Sequence, residues 1–339
     1  MLQFRMLVLT DHTAHTSENS LYALVHELRI HPRCQFIDVA SRGIARNSLF
    51  FENCAQRSIY VIRADEGFIH KPDGGPFKAK LRLASLREYD VILIRLPHPV
   101  SENFWNFLKR IYPEKQIINQ PAGIYETSSK LFLLQIPELC PPIQACHTAK
   151  DVLDMKKRFP IVLKPAYSYG GQGIVKIEGD KVWSGNKSTP LGSFLKQLEA
   201  NPAEYLGMQF LPKVVLGDKR IVVANGKVLG ASLRMPPPGS WMCNVAQGGQ
   251  ALPAEPDADE LAIASRLIEL LTPKGVIFFG FDTLVNDEGR RVLSEINTLS
   301  IGGLTQIANF TGRPVVKEAA DLIWDYVKNV IYGRPSVVA

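Results

Sequence analysis

The stretch "VLSEINTLSIGG" at 292–303 sets an acid and an amide, Glu295 and Asn297, two residues apart where an apolar strand runs into a glycine turn. Upstream, "FFGFDTLV" carries Asp282, and the Asn-Asp-Glu-Gly at 286–289 between them reads as a four-residue hairpin loop. If that loop pairs Val285 with Arg290, Asp282 lies opposite Leu293. Alternation then projects Asp282, Glu295 and Asn297 from one face, with Glu295 diagonal to Asp282. Two carboxylates and an amide oxygen, with room for waters and phosphate oxygens, are the hard-ligand set that Mg²⁺ prefers over zinc or copper. A one-residue slip would turn Asp282 away and leave an ordinary solvated strand end.

Two further stretches carry charge or glycine in patterns suited to phosphate. In "IVLKPAYSYGGQGIVKI" (161–177), Lys164 ends an apolar strand and Gly170, Gly171 and Gly173 follow. Such a loop can turn backbone N–H groups toward a phosphate, although a glycine cluster by itself reads first as a hairpin tip. No Gly-Lys-Ser/Thr follows and a strand comes next, so it is neither a P-loop nor a dinucleotide fingerprint. Lys164 reads either as a point charge for an α- or β-phosphate or as a snorkelling side chain. "QFLPKVVLGDKRIVVANGKVLGASLRM" (209–235) adds Asp218, Lys219, Arg220 and Arg234 around an Asn-Gly hairpin. A regular turn pairs Ala224 with Lys227, which sets the two arginines on opposite faces. A bulge at Gly230 would unite them, and is expected only if both serve one site.

The elements that must hold these residues follow from periodicity. "MLVLT" (6–10) and "YDVILIRLP" (89–97) are buried strands, each followed by a helical pattern, Leu21, Leu24, Val25, Leu28 and then Phe104, Phe107, Leu108, Ile111. The first third is therefore an open α/β domain. "GFIHKPDGGPFKAK" (67–80) offers turns and short strands with no evident job, and the Pro/Gly/Ser-rich "NQPAGIYETSS" marks a boundary before a helix at "KLFLLQI". Beyond it, paired strands and hairpins make an α+β half with antiparallel sheet, covered by helices at 257–271 and near the C-terminus.

At 339 residues the chain has two or three domains as its prior. No apolar run is long enough to cross a bilayer, and the cytosol is the default compartment. The five cysteines are odd in number and scattered, so they read as reduced thiols. A net charge of +6 is spread without a basic block, and an anionic small-molecule substrate explains the excess as well as nucleic acid would.

The order of these pieces resembles an ATP-grasp ligase. "DVILIR", "SSKLF", "IVLKP...GGQGI", "GDKRIVV", "NVAQGG", "GFD" and "EIN" together resemble the bacterial glutathione synthetase family over nearly the whole chain. The resemblance implies a Rossmann-like pre-ATP-grasp domain at 1–122 and an ATP-grasp domain at 123–335, with a smaller lobe at about 126–208. It implies ATP and Mg²⁺ as cofactors, small-molecule carboxylate and amine substrates, and allows a homo-oligomer. Lys130, Lys164 and the loop of Tyr169, Gly170, Gly171 and Gly173 would meet the ATP phosphates. Gln209, Phe210 and Leu211 would hold adenine, and Asp218 would meet the ribose with Lys219 beside it. Asp282, Glu295 and Asn297 match magnesium ligands, and Arg220, Arg234 and Asn244 lie near the transferred phosphate. Asn19, Ser20, Arg95, Gly248, Gly249, Ser300 and Gly302 match the substrate region. The implied reaction makes an acyl phosphate from a carboxylate and ATP, which an amine then attacks; Cys243 would be pocket wall or bystander.

Departures fall where substrates would sit. Arg95-Leu-Pro-His-Pro replaces an Asp-Pro-Pro turn, Met242 stands where the family has an arginine, and Ser300-Ile-Gly-Gly-Leu-Thr305 lacks another. Three readings follow: glutathione synthetase itself, a related ligase for a less anionic acceptor, or a nucleotide-binding protein without turnover.

Overall fold

A computed structural model describes residues 2–78, 80–168, 170–243 and 249–333. Three sheets carry the fold. The first contains β1 (Phe4–Thr10), β2 (Cys34–Ser41), β3 (Ser58–Arg63), β4 (Arg82–Ser85), β5 (Val91–Arg95) and β6 (Ile117–Ile118), in the order β4-β3-β2-β1-β5-β6. β1, β2, β5 and β6 run parallel, while β3 and β4 make an antiparallel edge. Their continuous apolar runs bury both faces, as parallel strands covered by helices require. Leu21, Leu24, Val25 and Leu28 are the buried residues of the helix Leu21–Ile30, and Phe104, Phe107 and Leu108 are buried in the helix Glu102–Ile111.

The second sheet is antiparallel, with β7 (Ile143–Cys146), β8 (Ile161–Pro165), β9 (Val175–Glu178), β10 (Lys181–Ser184), β11 (Lys187–Pro190) and β12 (Tyr205–Gln209) in the order β11-β10-β9-β8-β12-β7. The third is also antiparallel, with β13 (Asp218–Ala224), β14 (Lys227–Met235), β15 (Gln250–Ala254), β16 (Phe278–Val285) and β17 (Arg291–Asn297) in the order β15-β14-β13-β16-β17. The expected mixture of α/β and α+β architecture is present. No helix among the described residues is long and apolar enough to cross a membrane.

Asn119 joins the first and third sheets. It is 3 % exposed, its Nδ2 donates to the carbonyls of Phe278 and Thr298, and its Oδ1 accepts from the amides of Ile277 and Phe278. Both its donors and its acceptor are satisfied, which fixes the start of β16 and the end of β17 against the first sheet. The helix Val315–Tyr326 completes the joint, with Trp324 fully buried and its indole N–H donating to Leu28 O.

Two expectations fail in the connections. The segment 67–78 contains no strand, only a 3-10 turn at Gly75–Lys78, because Phe68 and Phe77 anchor it individually and Pro72 and Pro76 break any ladder. "KLFLLQI" forms a 3-10 turn at Lys130–Gln135, whereas the helix lies earlier, at Pro121–Thr127, where Pro121 occupies the first turn.

The expected bulge in the β13–β14 hairpin exists. Ala224 pairs with Lys227 and Val223 with Val228, then Val222 pairs with Gly230, so Leu229 is the extra residue. Gly230 has φ 153°, and a Cβ there would stand 2.6 Å from Ile307 Cγ2. Gly230→Ala should therefore lose roughly 2 kcal/mol or more in urea unfolding, through backbone strain and a clash in a packed region. An unchanged midpoint would mean that the bulge does not depend on glycine.

Candidate functional site

The acid face is built by two register effects that cancel. Val285 pairs with Arg291 rather than Arg290, which alone would turn Glu295 away from Asp282. A bulge at Ser294 then restores the phase: Thr283 pairs with Leu293, Asp282 with Glu295 and Gly280 with Asn297. Glu295 is thus directly opposite Asp282, not diagonal to it. Asn297 Nδ2 lies 3.5 Å from Asp282 Oδ2. The bulge has a second consequence, because the Ser294 carbonyl accepts a 2.7 Å hydrogen bond from Lys164 Nζ.

Arginine carries the other half of the site. Arg220 is the cross-strand partner of Asp282 on β13 and forks onto both of its carboxylate oxygens. After the Leu229 bulge, Arg234 pairs with Asp218 and bonds both Asp218 oxygens at 2.7 Å, while its Nη2 lies 2.9 Å from Asp282 Oδ2. Burial alone would raise the Asp282 carboxyl, but Arg220 and Arg234 outweigh it and hold Asp282 well below the usual carboxylate range. Burial pushes Asp218 up, since its cation Arg234 is shared with Asp282.

Lys130 and Lys164 come from opposite sides of the same region. Lys130 Nζ donates to Ser168 O at 2.5 Å and lies 3.5 Å from Glu295 Oε1. Lys164 sits in β8 with β12 beside it, is 8 % exposed, and has its pKa lowered by burial although Glu295 opposes the shift. It is an interior charge and not a snorkelling one.

Lys219 is not brought to this site. Alternation along β13 sends it to the opposite face, where its ammonium pairs with Glu260, itself fully buried, and with Asp257 at the helix Ala258–Leu271. Its role is to fasten that helix to the sheet. Tyr169, Asn244 and Gly248 lie outside the described residues.

Two clefts meet at Glu295. One, between the second and third sheets, is walled by Lys164, the segment Gln209 to Leu211, Asp218, Asp282 and Glu295. Lys176 stands 4.7 Å over the Phe210 ring there. The other lies at the C-terminal ends of β1 and β5, where strand order reverses and open α/β sheets place their ligands. Lys130, Gly170, Glu295, Asn297 and Ser300 line it, with Asn19 on the β1 side. Among the described site residues, Arg220, Arg234, Arg95, Gly171, Gly173, Ser20, Gly249 and Gly302 wall neither cleft; Arg220 and Arg234 stand behind Asp218 and Asp282, which do wall the first. Ser20 begins the helix Leu21–Ile30 without capping it by its hydroxyl; Asn19 Oδ1 accepts from the Leu21 amide instead. Arg95 is 1 % exposed and gives Nη2 to Ile301 O at 2.6 Å. Its Nε and Nη1 have no hydrogen-bond partner among the described residues.

Sequence reasoning passed over Trp241 and His15, whereas it had marked Met242, Cys243 and the turn that holds His98. Trp241 meets Phe210 edge to face at 6.3 Å and lines the first cleft with Met242 and Cys243. Burial pushes the Cys243 thiol up to about 12, so it is a wall and not a thiolate. His15 and His98 line the second cleft, and their positions just past β1 and β5 were the available signal.

Both histidines are held neutral, burial lowering each from 6.5 to about 4. Between those values the unfolded chain binds protons that the folded chain refuses, so stability is present at pH 7 and lost as pH falls. Each histidine should remove about 2 kcal/mol between pH 7 and pH 5. Urea unfolding at the two pH values measures this, and His15→Gln should shrink the difference by its share.

Comparison with known proteins finds an ATP-grasp family, glutathione synthetases and solved ligases of the same fold. A family described as "Prokaryotic glutathione synthetase, ATP-grasp domain" matches residues 129–312. A glutathione synthetase of Brucella melitensis is 30% identical over 248 residues, 72% of this chain and 74% of that protein. One of Agrobacterium fabrum is 27% identical over 287 residues, 84% of this chain and 82% of that protein. Among solved structures, the D-alanine-D-alanine ligase from Coxiella burnetii superposes with a TM-score of 0.65 at 11% identity, covering 97% of this chain and 96% of its own. That of Bacillus anthracis, complexed with ATP, gives 0.56 at 14% identity, covering 97% and 98%.

Proposed function

The chain belongs to the prokaryotic glutathione synthetase family of ATP-grasp ligases, and from that premise we propose how this ATP-dependent, amide-forming enzyme works and on what. The observation that carries the proposal is that Glu295 walls both clefts, so a nucleotide in one meets a carboxylate in the other beside it. On a first reading the acyl donor is γ-glutamylcysteine and the amine is glycine.

The donor's carboxylate oxygen attacks the γ-phosphorus and ADP leaves. Lys130 and Lys164 flank the point where negative charge spreads in that transfer, with Arg220 and Arg234 behind Asp282, and these fixed charges need no reorganisation as it develops. The amine then attacks the acyl carbonyl and phosphate departs, while the Gly170–Gly173 loop closes over the reacting groups. Adenine lies along Gln209, Phe210 and Leu211, with Asp218 toward the ribose.

Asp282, Glu295 and Asn297 fit a hard divalent cation: two carboxylates face each other across a strand pair, and the arginines keep Asp282 ionised. When bound, Mg²⁺ neutralises phosphate charge. The 1–122 unit supplies His15, Asn19, Pro97 and His98 to the substrate cleft, and 123–335, of which residues 169, 244–248, 334 and 335 lie outside the described residues, supplies the rest of that cleft and the nucleotide site.

A second reading, ligation of another amine, is favoured by the neutral walls of the substrate cleft, where Pro97, His98 and Ser300 line the cavity and Lys130 is the lysine among the described lining residues. ADP formation by the purified protein with ATP, Mg²⁺, γ-glutamylcysteine and glycine, with product mass, tests the two. Glutathione as product supports the first; ADP release that requires a different amine supports the second.

A further inference from the structure

Beside the substrate cleft lies a second cavity that the reading above leaves unused. It is walled by His12, His15, Tyr22, His70, Lys71 and Asp73, and His15 is also a wall of the substrate cleft. The segment 67–78 closes this cavity. Although it has no strand, it is not a loose loop: Phe68 and Phe77 are buried at its two ends, Gly74 N donates to Lys71 O, and Gly74 holds φ 71°. The His12 ring stacks on Phe77 at 4.3 Å, and a Cβ on Gly74 would stand 3.3 Å from it. A chain pinned this closely around an opening makes a built wall.

The partition between the two cavities has a defined hydrogen-bond polarity. Thr10 Oγ1 donates its one proton to Arg95 O at 3.1 Å, so His15 Nε2, 3.0 Å from the same oxygen, must carry a proton and donate. Neutral His15 then accepts at Nδ1 from the Tyr22 hydroxyl, 2.9 Å away. Tyr22 is thereby held with its ring edge to His70 at 5.5 Å and 77°. The chamber beyond His15 presents imidazole and phenol rings whose faces and edges suit a flat group. Its cation is Lys71, whereas the substrate cleft has Lys130, already engaged by Ser168 O and Glu295.

Resting on the second reading above, ligation of another amine, we propose that the amine substrate extends past His15, packs a flat aromatic or imidazole ring against the open side of the touching Tyr22–His70 pair, and offers its carboxylate to Lys71. The product is then a γ-glutamyl peptide ending in a ring-bearing amino acid, and glycine is a poor acceptor because it reaches neither group. Two such contacts, one ring-packing and one charge-assisted, favour the longer product by at least tenfold in affinity.

The test measures binding of products, which needs no turnover. Calorimetric titration of the full chain compares γ-glutamylcysteinylphenylalanine and γ-glutamylcysteinylhistidine with glutathione. At least one ring-bearing product should bind ten times more tightly than glutathione. Lys71→Ala and His70→Trp, the second of which fills the chamber, should each reduce that ratio at least threefold, and circular dichroism confirms that both fold. Equal affinities, tighter binding of glutathione, binding of none of the three, or a ratio untouched by both folded variants overturns the proposal. ADP release with each amine is measured alongside: a preserved ratio without ADP release from any amine would sink the ligase reading and leave the subsite standing.

Discussion

Glu295→Gln is expected to remove ADP formation by at least about a thousandfold while leaving the thermal midpoint almost unchanged. The size follows from position: Glu295 is the carboxylate common to both clefts, so in the proposed reaction its charge acts on the nucleotide and on the acyl group at once. Gln retains the shape and loses the anion that would hold a divalent cation against Asp282. The small effect on folding follows from its contacts. The Glu295 side chain is 20 % exposed, and its recorded ion pair is a 3.5 Å approach to Lys130, whose firmer bond is to Ser168 O. A partly exposed pair of that length contributes well under about 1 kcal/mol. Steady-state ADP release at saturating ATP and Mg²⁺, with the melting curve of the same preparation, checks both halves. Turnover within tenfold of the parent would remove Glu295 from the transfer step.

What was legible in the sequence divides by the range of the interaction that decides it. Strands β1 and β5 and the helices after them follow from local periodicity, and their buried positions agree almost residue for residue. The bulge that unites Arg220 and Arg234 was also legible, since a hairpin with an Asn-Gly turn leaves no other way to bring both to one carboxylate. The face shared by Asp282 and Glu295 was reached by a register that is wrong in detail. A pairing one residue longer and a bulge at Ser294 together preserve the parity that the simpler hairpin assumed. Nothing local announces Ser294 as the bulge; its carbonyl is turned toward Lys164, which is 130 residues away in sequence. Lys219 misled because a Gly-Asp-Lys-Arg run looks like one charged patch, whereas a strand distributes it over two faces. The chamber behind His15 was invisible for a related reason. Its walls come from residues 12–22 and 70–74, and only the parallel pairing of β1 with β2 and β5 carries the end of β1 to the place where they meet.

Asp282→Asn should behave unlike Glu295→Gln although both residues sit on one acid face. Asp282 is 3 % exposed and is the carboxylate shared by Arg220 and Arg234. Its neutral replacement leaves two guanidiniums in a low-dielectric interior with Asp218 as the remaining bonded acid, and Asp218 is engaged by Arg234 alone. Removing one partner of a buried ion pair costs about 3–5 kcal/mol, far more than the pair would contribute over a well-packed apolar substitute. Asp282→Asn is therefore expected to lower stability by about that amount and to abolish ADP formation, with urea unfolding and ADP release as the two readouts. The double variant Asp282→Asn/Arg220→Met separates the causes. Deleting one of the orphaned cations should recover part of the stability, because the penalty arises from unpaired charge, but none of the activity, because the proposed reaction uses the Asp282 carboxylate that lines the nucleotide cleft and Arg220 that holds it there. Full stability in the single variant would mean that water already screens these arginines, and the depressed ionisation of Asp282 would then need another cause than its two cations.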